Sequence, residues 1–207
     1  VSATKKAASN GRRKIDGVSF GTNPCGEIYL RSCGFCNLSE VVIRPDDDLK
    51  VLCEKVRIAA IIGTFQSTLT NFRYIRNIWK KNAEEERLLG VSLTGIMDHP
   101  VLSKTSEEAK SWLSTMKEIA INTNKEWADR LGIEQSAACT AVKPSGTVAE
   151  LVDTSSGIHP RYSAFYIRSV RNDTKDPLAS LMKDQGIPHE PDVMNPASIL
   201  VFSFPKK

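Results

Sequence analysis

No run of 18 apolar residues occurs anywhere in the 207-residue chain, so a membrane-spanning helix is not expected. Its first residues carry no apolar signal core either, and together these absences point to a cytoplasmic protein with no membrane partner. Histidine is scarce: His99, His159 and His189 are the only three, far apart in sequence. The one C-x-x-C, Cys33-Gly34-Phe35-Cys36, has no second to match it. A zinc site is therefore short of its usual ligands, and no metal is expected. Nor is charge of one sign concentrated, since 28 basic and 24 acidic residues are interspersed and leave a formal charge of +4. That argues against a surface for polymeric nucleic acid, while still favouring anionic nucleotides over cations. There is no internal repeat and no low-complexity tract. Five cysteines, an odd number, suggest reactive or redox thiols instead of a disulfide scaffold.

What is present has the composition of an ordinary globular protein, 41% hydrophobic and 25% charged. A chain of this size can enclose one core or be a large piece of something bigger. The basic groups Lys5-Lys6 and Arg12-Arg13-Lys14 lie in a polar stretch, residues 2–17, and read as a solvated loop. Residues 1–19 are accordingly a polar basic leader, and residues 20–207 the folded remainder.

Local patterns predict alternating helices and strands. Asp46-Asp47-Asp48 suits the positive end of a helix whose apolar face is Leu52, Val56, Ala59 and Ile62, with Cys53 packed inside. Residues 90–95 form an apolar-rich run bounded by glycines, a buried strand. Thr105-Ser106-Glu107-Glu108 is a capping-box pattern opening a long helix through Trp112, Met116, Ile119 and Trp127 that stops near Gly132. Further strands are expected at residues 137–142, 164–170 and 198–204. The alternation argues for an α/β fold.

Chemistry concentrates in Asn23-Pro24-Cys25-Gly26-Glu27. Pro24 fixes its own φ and biases Asn23 toward extended backbone, so the segment is a stiffened loop. If it runs extended, Cys25 and Glu27 project to one side and can address one small substrate. The cysteine could be a nucleophile, a metal ligand, a disulfide partner or a radical carrier; it could equally be a small buried side chain in a turn. Glu27 can exchange a proton, and Asn23 can hold a hydroxyl or carbonyl. Cys36 follows in Cys36-Asn37-Leu38-Ser39-Glu40. The C-x-x-C also admits a thioredoxin-like pair, which should open a helix, or a zinc half-site using Cys25, Cys33, Cys36 and Cys53.

Lys143-Pro144-Ser145-Gly146-Thr147-Val148 sits where a strand should hand over to a helix. Gly146 permits close approach, Ser145 and Thr147 add hydroxyls, and a helix start binds phosphate through its amides. Lys143 could add charge to this phosphate site, though an exposed lysine is the simpler reading. His159 reads as a turn histidine held by backbone hydrogen bonds, Cys139 as structural, and Tyr162, Phe165 and Tyr166 as core or cavity wall.

Taken in order, three blocks resemble the catalytic subunits of ribonucleotide reductases. The first is Asn23-Pro24-Cys25-Gly26-Glu27 with Cys36-Asn37-Leu38-Ser39-Glu40-Val41. The second is Lys143-Pro144-Ser145-Gly146-Thr147-Val148 with Ser156-Gly157-Ile158-His159-Pro160-Arg161. The third, His189-Glu190-Pro191-Asp192-Val193-Met194-Asn195-Pro196 leading into Val201-Phe202-Ser203-Phe204-Pro205, resembles the monomeric, cobalamin-dependent, triphosphate-reducing branch.

That resemblance implies part of a ten-stranded α/β barrel with the active-site cysteine on a finger loop. It implies adenosylcobalamin as cofactor, a ribonucleoside triphosphate as substrate and a thioredoxin-like reductant. Cys25 would become a thiyl radical that takes the 3′-hydrogen, Glu27 would accept the 3′-hydroxyl proton, and Asn23 would hold the sugar hydroxyls. Cys36 would be one of two reducing thiols that end as a disulfide. Pro24 and Gly26 would shape the loop, and Pro144, Ser145, Gly146, Thr147 and Val148 would cradle the phosphates. The second reducing cysteine and the effector region of a complete subunit have no counterpart, so turnover is expected to need the missing N-terminal part of the enzyme. Alternatives are a di-metal-dependent diphosphate reductase fragment, a non-catalytic nucleotide-binding remnant, or a thiol-redox module.

Overall fold

The computed structural model describes Arg13 and residues 17–206; most of the expected basic leader, including Lys5, Lys6, Arg12 and Lys14, lies outside the described residues. The chain divides into two compact units, residues 1–160 and residues 161–207.

The first unit opens with a short antiparallel hairpin, β1 (Phe20–Thr22) against β2 (Tyr29–Arg31). Strand β3 (Cys36–Val42) then runs parallel to β4 (Leu88–Thr94), in a register pairing Cys36 with Leu88 and Val42 with Thr94. Parallel neighbours need a crossover, and here it contains α1 (Leu49–Gln66) and α2 (Asn77–Glu86). After β4 comes α3 (Glu107–Leu131), and the chain returns along the other edge of β4. There Leu89 and Val91 donate their N–H groups to the carbonyls of Ala138 and Cys139, both at 2.9 Å, and Ala141 N–H reaches Val91 O at 3.1 Å. The strand expected at residues 137–142 is thus an extended segment with one parallel bridge, Val91 to Thr140, and not a full strand. Successive parallel segments linked through helices make this an α/β fold, as the sequence predicts.

Helix α1 starts at Asp48, whose carboxylate accepts Val51 N–H at 2.8 Å. Leu52, Val56, Ala59, Ala60 and Gly63 lie on its buried face, and Val41, Ile43, Val91, Met116 and Ala120 complete the core with them. Small residues let α1 and α3 approach closely, and a buried hydrogen bond from Asn124 Nδ2 to Thr64 Oγ1 at 3.0 Å joins them. The cap of α3 is Ser106, accepting Ala109 N–H at 3.1 Å. The Thr105–Glu108 capping box is therefore not formed: the cap lies one residue later, and Ala109 at the third position has no side chain to reach back. Gly132 closes the helix at φ +64°, where a left-handed residue is needed.

The second unit is an antiparallel sheet in the order β5 (Tyr166–Asp173), β7 (Ile199–Lys206), β6 (His189–Pro191), with α5 (Pro177–Asp184) between β5 and β6 in sequence; the one-turn helix α4 (Thr147–Leu151) belongs to the first unit. Ala179, Leu200 and Phe202 are its core. Asp192 accepts Arg171 Nε at 2.7 Å and the N–H groups of Met194 and Asn195 at 3.0 and 3.1 Å, fixing the turn after β6. Tyr162 and Phe165 are exposed, not core as their aromatic character suggested. No described helix is long and apolar enough to cross a membrane.

Candidate active site

The first hairpin is anchored by buried charge. Glu86, the last residue of α2, accepts Arg13 Nε at 2.8 Å on Oε1, and its Oε2 lies 3.2 Å from Arg31 Nε, an ion pair without hydrogen-bond alignment. Arg31 also reaches Glu85 Oε2 at 2.8 Å and Asn82 O at 3.1 Å. Arg13 donates to Tyr29 O and covers the Phe20 ring at 5.1 Å. The hairpin base is thereby tied to the helix that precedes β4.

Asn23, Pro24, Cys25, Gly26 and Glu27 form its tip. The tip is a tight turn and not the extended loop considered from sequence: Gly26 N–H returns to Asn23 O at 2.9 Å. Pro24 supplies the fixed φ that such a turn wants at its second position, and Gly26 takes φ +80°. The side chain of Asn23 braces the far side of the turn, with Oδ1 accepting Ile28 N–H at 3.1 Å and Nδ2 donating to Glu27 Oε1 at 2.7 Å.

Cys25 and Glu27 still meet, through a residue more than a hundred positions away. Lys143 Nζ donates to Glu27 Oε1 at 3.0 Å and to Cys25 Sγ at 3.3 Å. It is not the exposed lysine its local sequence suggests; its side chain is 27% exposed and paired. Burial pushes the Glu27 carboxyl up, but its own backbone N–H, Asn23 and Lys143 together hold it below the ordinary carboxylate range. Hydrogen bonds to Glu27 and Cys25 raise the Lys143 ammonium in turn. Glu27 Oε2 is buried with no hydrogen-bond partner among the described residues. Glu27 lines a cavity of about 730 Å³ whose other walls include Leu93, Met97, Val142 and Ile158.

Cys36 begins β3 and is half-buried. Burial pushes its thiol up to about 12; Arg13 pulls against this, Glu27 and Glu86 add to it, and Lys143 opposes it. The thiol therefore shares an electrostatic neighbourhood with the Cys25–Glu27 pair. Cys33 stands apart. It takes φ +58° in a turn held by Asn82, its Sγ accepts Arg76 Nη2 at 3.3 Å, and the segment enters a strand, not the helix of a thioredoxin-like motif. Cys53 is half-buried within α1, and Cys139 is buried, its thiol pushed up to about 11 by burial. No three His, Cys, Asp or Glu side chains converge to hold a metal ion among the described residues.

The turn at Pro144, Ser145, Gly146, Thr147 and Val148 is fixed from below. Ser92 Oγ accepts Lys143 N–H at 3.2 Å, Ser156 Oγ accepts Gly146 N–H at 3.1 Å, and Thr94 Oγ1 accepts Gly157 N–H at 3.1 Å. Gly157, at φ +57°, has no room for a side chain, because a Cβ would stand 2.5 Å from Lys143 O. Helix α4 follows but is only five residues long and has no side-chain cap. Ser145 Oγ donates to the Glu40 carboxylate, so its hydroxyl is already engaged and an anion lies beside the turn. His159 is held in its turn by N–H and Nδ1 contacts to Ser156 O at 2.9 and 3.1 Å. Sequence reasoning missed Glu40 and the pairing of Lys143 with Cys25 and Glu27, although both residues stand inside the quoted motifs.

No protein-family model matches the chain. It is 34% identical over 93% of its length to an adenosylcobalamin-dependent ribonucleoside-triphosphate reductase of Lactobacillus gasseri, covering 29% of that protein. A protein of the same description from Levilactobacillus brevis is 30% identical over 96% of the chain, again covering 29% of the relative. A crystal structure of a B12-dependent (class II) ribonucleotide reductase superposes with a TM-score of 0.76 at 28% identity, over 92% of this chain and 29% of that one. The chain thus spans under a third of the length of the relatives it matches, and by sequence and fold it is homologous to one segment of the adenosylcobalamin-dependent ribonucleoside-triphosphate reductases.

Proposed function

We propose that this segment supplies the radical-bearing thiol, the proton acceptor and one reducing thiol of a cytoplasmic enzyme that converts ribonucleoside triphosphates to 2′-deoxyribonucleoside triphosphates for DNA synthesis. The observation that carries the reading is the meeting of Cys25 and Glu27 on one ammonium group, with Glu27 lining an apolar cavity, in a chain homologous to such reductases. Adenosylcobalamin, when bound, would supply the odd electron that makes Cys25 a thiyl radical. Of the chain's five thiols Cys25 is the exposed one, at the tip of a stiffened turn, and so fits a radical source outside the chain.

Cys25 then takes the hydrogen atom from C3′ of the ribose. Glu27, held as a carboxylate, accepts the 3′-hydroxyl proton and later returns it to the 3′-oxygen, while the 2′-hydroxyl takes a proton from one of the two reducing thiols and leaves as water. Two thiols deliver the two electrons and finish as a disulfide: Cys36, and one contributed from beyond this segment. A thiol pushed up to about 12 stays protonated, which suits a hydrogen donor. Cys25 finally returns its hydrogen to C3′, and a thioredoxin-like reductant reopens the disulfide. Asn23 orients Glu27 and the sugar hydroxyls, while Pro24 and Gly26 hold the tip rigid. Ser145 and Thr147 approach the phosphates through their backbone amides, and Pro144, Gly146 and Val148 shape the turn that presents them. Barrel closure, and turnover itself, require the rest of the reductase.

The test is tritium exchange from 5′-labelled adenosylcobalamin into water, anaerobically with nucleoside triphosphate, on the chain alone and after addition of the N-terminal part of a relative. Exchange that disappears in Cys25→Ser supports the reading. Silence in both arrangements overturns it.

A further inference from the structure

Two donors converge on Glu27 Oε1, and one of them is not part of the hairpin. Asn23 Nδ2 lies 2.7 Å from that oxygen and Lys143 Nζ 3.0 Å, while Oε2 is buried and has no hydrogen-bond partner among the described residues. A carboxylate oxygen in that condition loses solvation without compensation, so it marks the atom that a donor from the cavity would satisfy. The Asn23 side chain bonds Glu27 and Ile28, whereas Lys143 reaches the Cys25 thiol as well, at 3.3 Å. The lysine is aimed by its backbone, since its N–H is held by Ser92 Oγ and its carbonyl lies against Gly157.

We propose that Lys143 is a positioning residue for the Cys25–Glu27 pair, its single ammonium group holding thiol and carboxylate together and leaving Oε2 as the oxygen that takes a proton from a hydroxyl in the cavity. The inference rests on the roles given above to Cys25 and Glu27. Without Lys143, the carboxylate would keep only Asn23 and its own N–H as donors, and either oxygen could turn to them. The thiol would lose its one contact with Glu27's counter-ion. The Cys36 thiol on β3 feels both Glu27 and Lys143; Arg13 and Glu86 also act on that thiol, but they pair with each other at the hairpin base, and the charge that acts on Glu27 is Lys143.

The experiment uses this chain with 13C-labelled glutamate carboxyls, the Glu27 signal being assigned by its absence in Glu27→Gln. In Lys143→Met the Glu27 titration midpoint is expected to move up, and in Lys143→Arg to return toward the unaltered chain. An unmoved midpoint in Lys143→Met with native tryptophan fluorescence overturns the proposal, since Asn23 and the backbone would then suffice. A readout on the unaltered lysine covers the case where Lys143→Met fails to fold. Limiting acetic anhydride should modify Lys143 several-fold more slowly than exposed Lys50, and Glu27→Gln should remove most of that protection. Equal rates for Lys143 and Lys50 overturn the proposal. Neither readout depends on cofactor or turnover, so failure of the reductase reading would appear separately, as absent tritium exchange.

Discussion

Replacing Glu86 with alanine should cost the first unit about 3–5 kcal/mol, because it strands buried charge. The carboxylate is 4% exposed and lies between Arg13 and Arg31, whose side chains are 9% and 7% exposed. Without it, Arg13 keeps only Tyr29 O and the Phe20 face among the described residues. Arg31 keeps Asn82 O and the outer pair with Glu85. All three tryptophans, Trp79, Trp112 and Trp127, precede residue 160, so their fluorescence follows this unit alone during urea unfolding. With a urea dependence of roughly 2 kcal/mol per molar, the midpoint should fall by about 2 M. Glu85→Ala is the internal comparison. It removes a partner of the same Arg31, but one that is 43% exposed, and a pair that open to water contributes about 0–1 kcal/mol. Similar small shifts in both variants would refute the argument, meaning that water reaches the Glu86 cluster and the hairpin is not held by buried charge.

Cys36 should resist iodoacetamide in the native chain, since a thiol pushed up to about 12 has a thiolate fraction at pH 8 about a thousandfold below that of an unburied one. Mass spectrometry should find Cys25 labelled first and the difference abolished in urea; equal native rates would contradict the burial. Gly95→Ala and Gly132→Ala separate strain from space: both positions have positive φ, but a Cβ at Gly95 would stand 2.6 Å from Ile43 O, whereas nothing lies within 4 Å of one at Gly132. The Gly132 change should cost about 1 kcal/mol, the Gly95 change at least twice that, and equal urea midpoints would show that the chain at Gly95 can shift. Glu40→Gln removes the anion beside the 144–148 turn and should tighten binding of inorganic tripolyphosphate several-fold by calorimetry; unchanged or weaker binding would move the phosphates elsewhere.

The long helices were legible because their signals are local. Asp48, Ser106 and Gly132 cap apolar faces that repeat at helical spacing, and β4 reads as a short apolar run because it is buried on both faces. Strand β3 was not legible: Asn37, Ser39 and Glu40 dilute its apolar character, and it exists through its pairing with β4. Helix α2 is polar, supported by exposed pairs such as Lys80–Glu84 and Lys81–Glu85, so periodicity had little to register. The site divides the same way. Asn23, Cys25 and Glu27 stand within five residues and announce themselves, whereas the Lys143–Glu27 contact spans 116 positions and the Ser145–Glu40 contact 105. No window along the chain contains such contacts, because the sheet creates them.

Strand alternation explains why those distant groups meet. Successive residues of a strand face opposite sides, and the register places Cys36, Leu38 and Glu40 of β3 opposite Leu88, Gly90 and Ser92 of β4. On this face Ser92 fixes Lys143, Thr94 fixes residues 155–157, and Glu40 holds Ser145. Gly90 belongs to it as well: a Cβ there would stand 2.5 Å from Leu38 Cδ2 and 3.4 Å from Cys36 Sγ. The opposite face carries Ser39, whose hydroxyl donates to Ala59 O, Leu89 against Gly63, and Val41 and Val91 in the core. One face therefore supplies the polar supports of the site, while the other meets the helices and lends Leu93 to the wall of the cavity that Glu27 lines. Since the period is two, a slip of a single residue between β3 and β4 would exchange the roles of all these positions at once. The small and hydroxyl residues that look out of place in an apolar strand, Gly90, Ser92 and Thr94, are thus what joins the thiol, the lysine and the 144–148 turn to one rigid support.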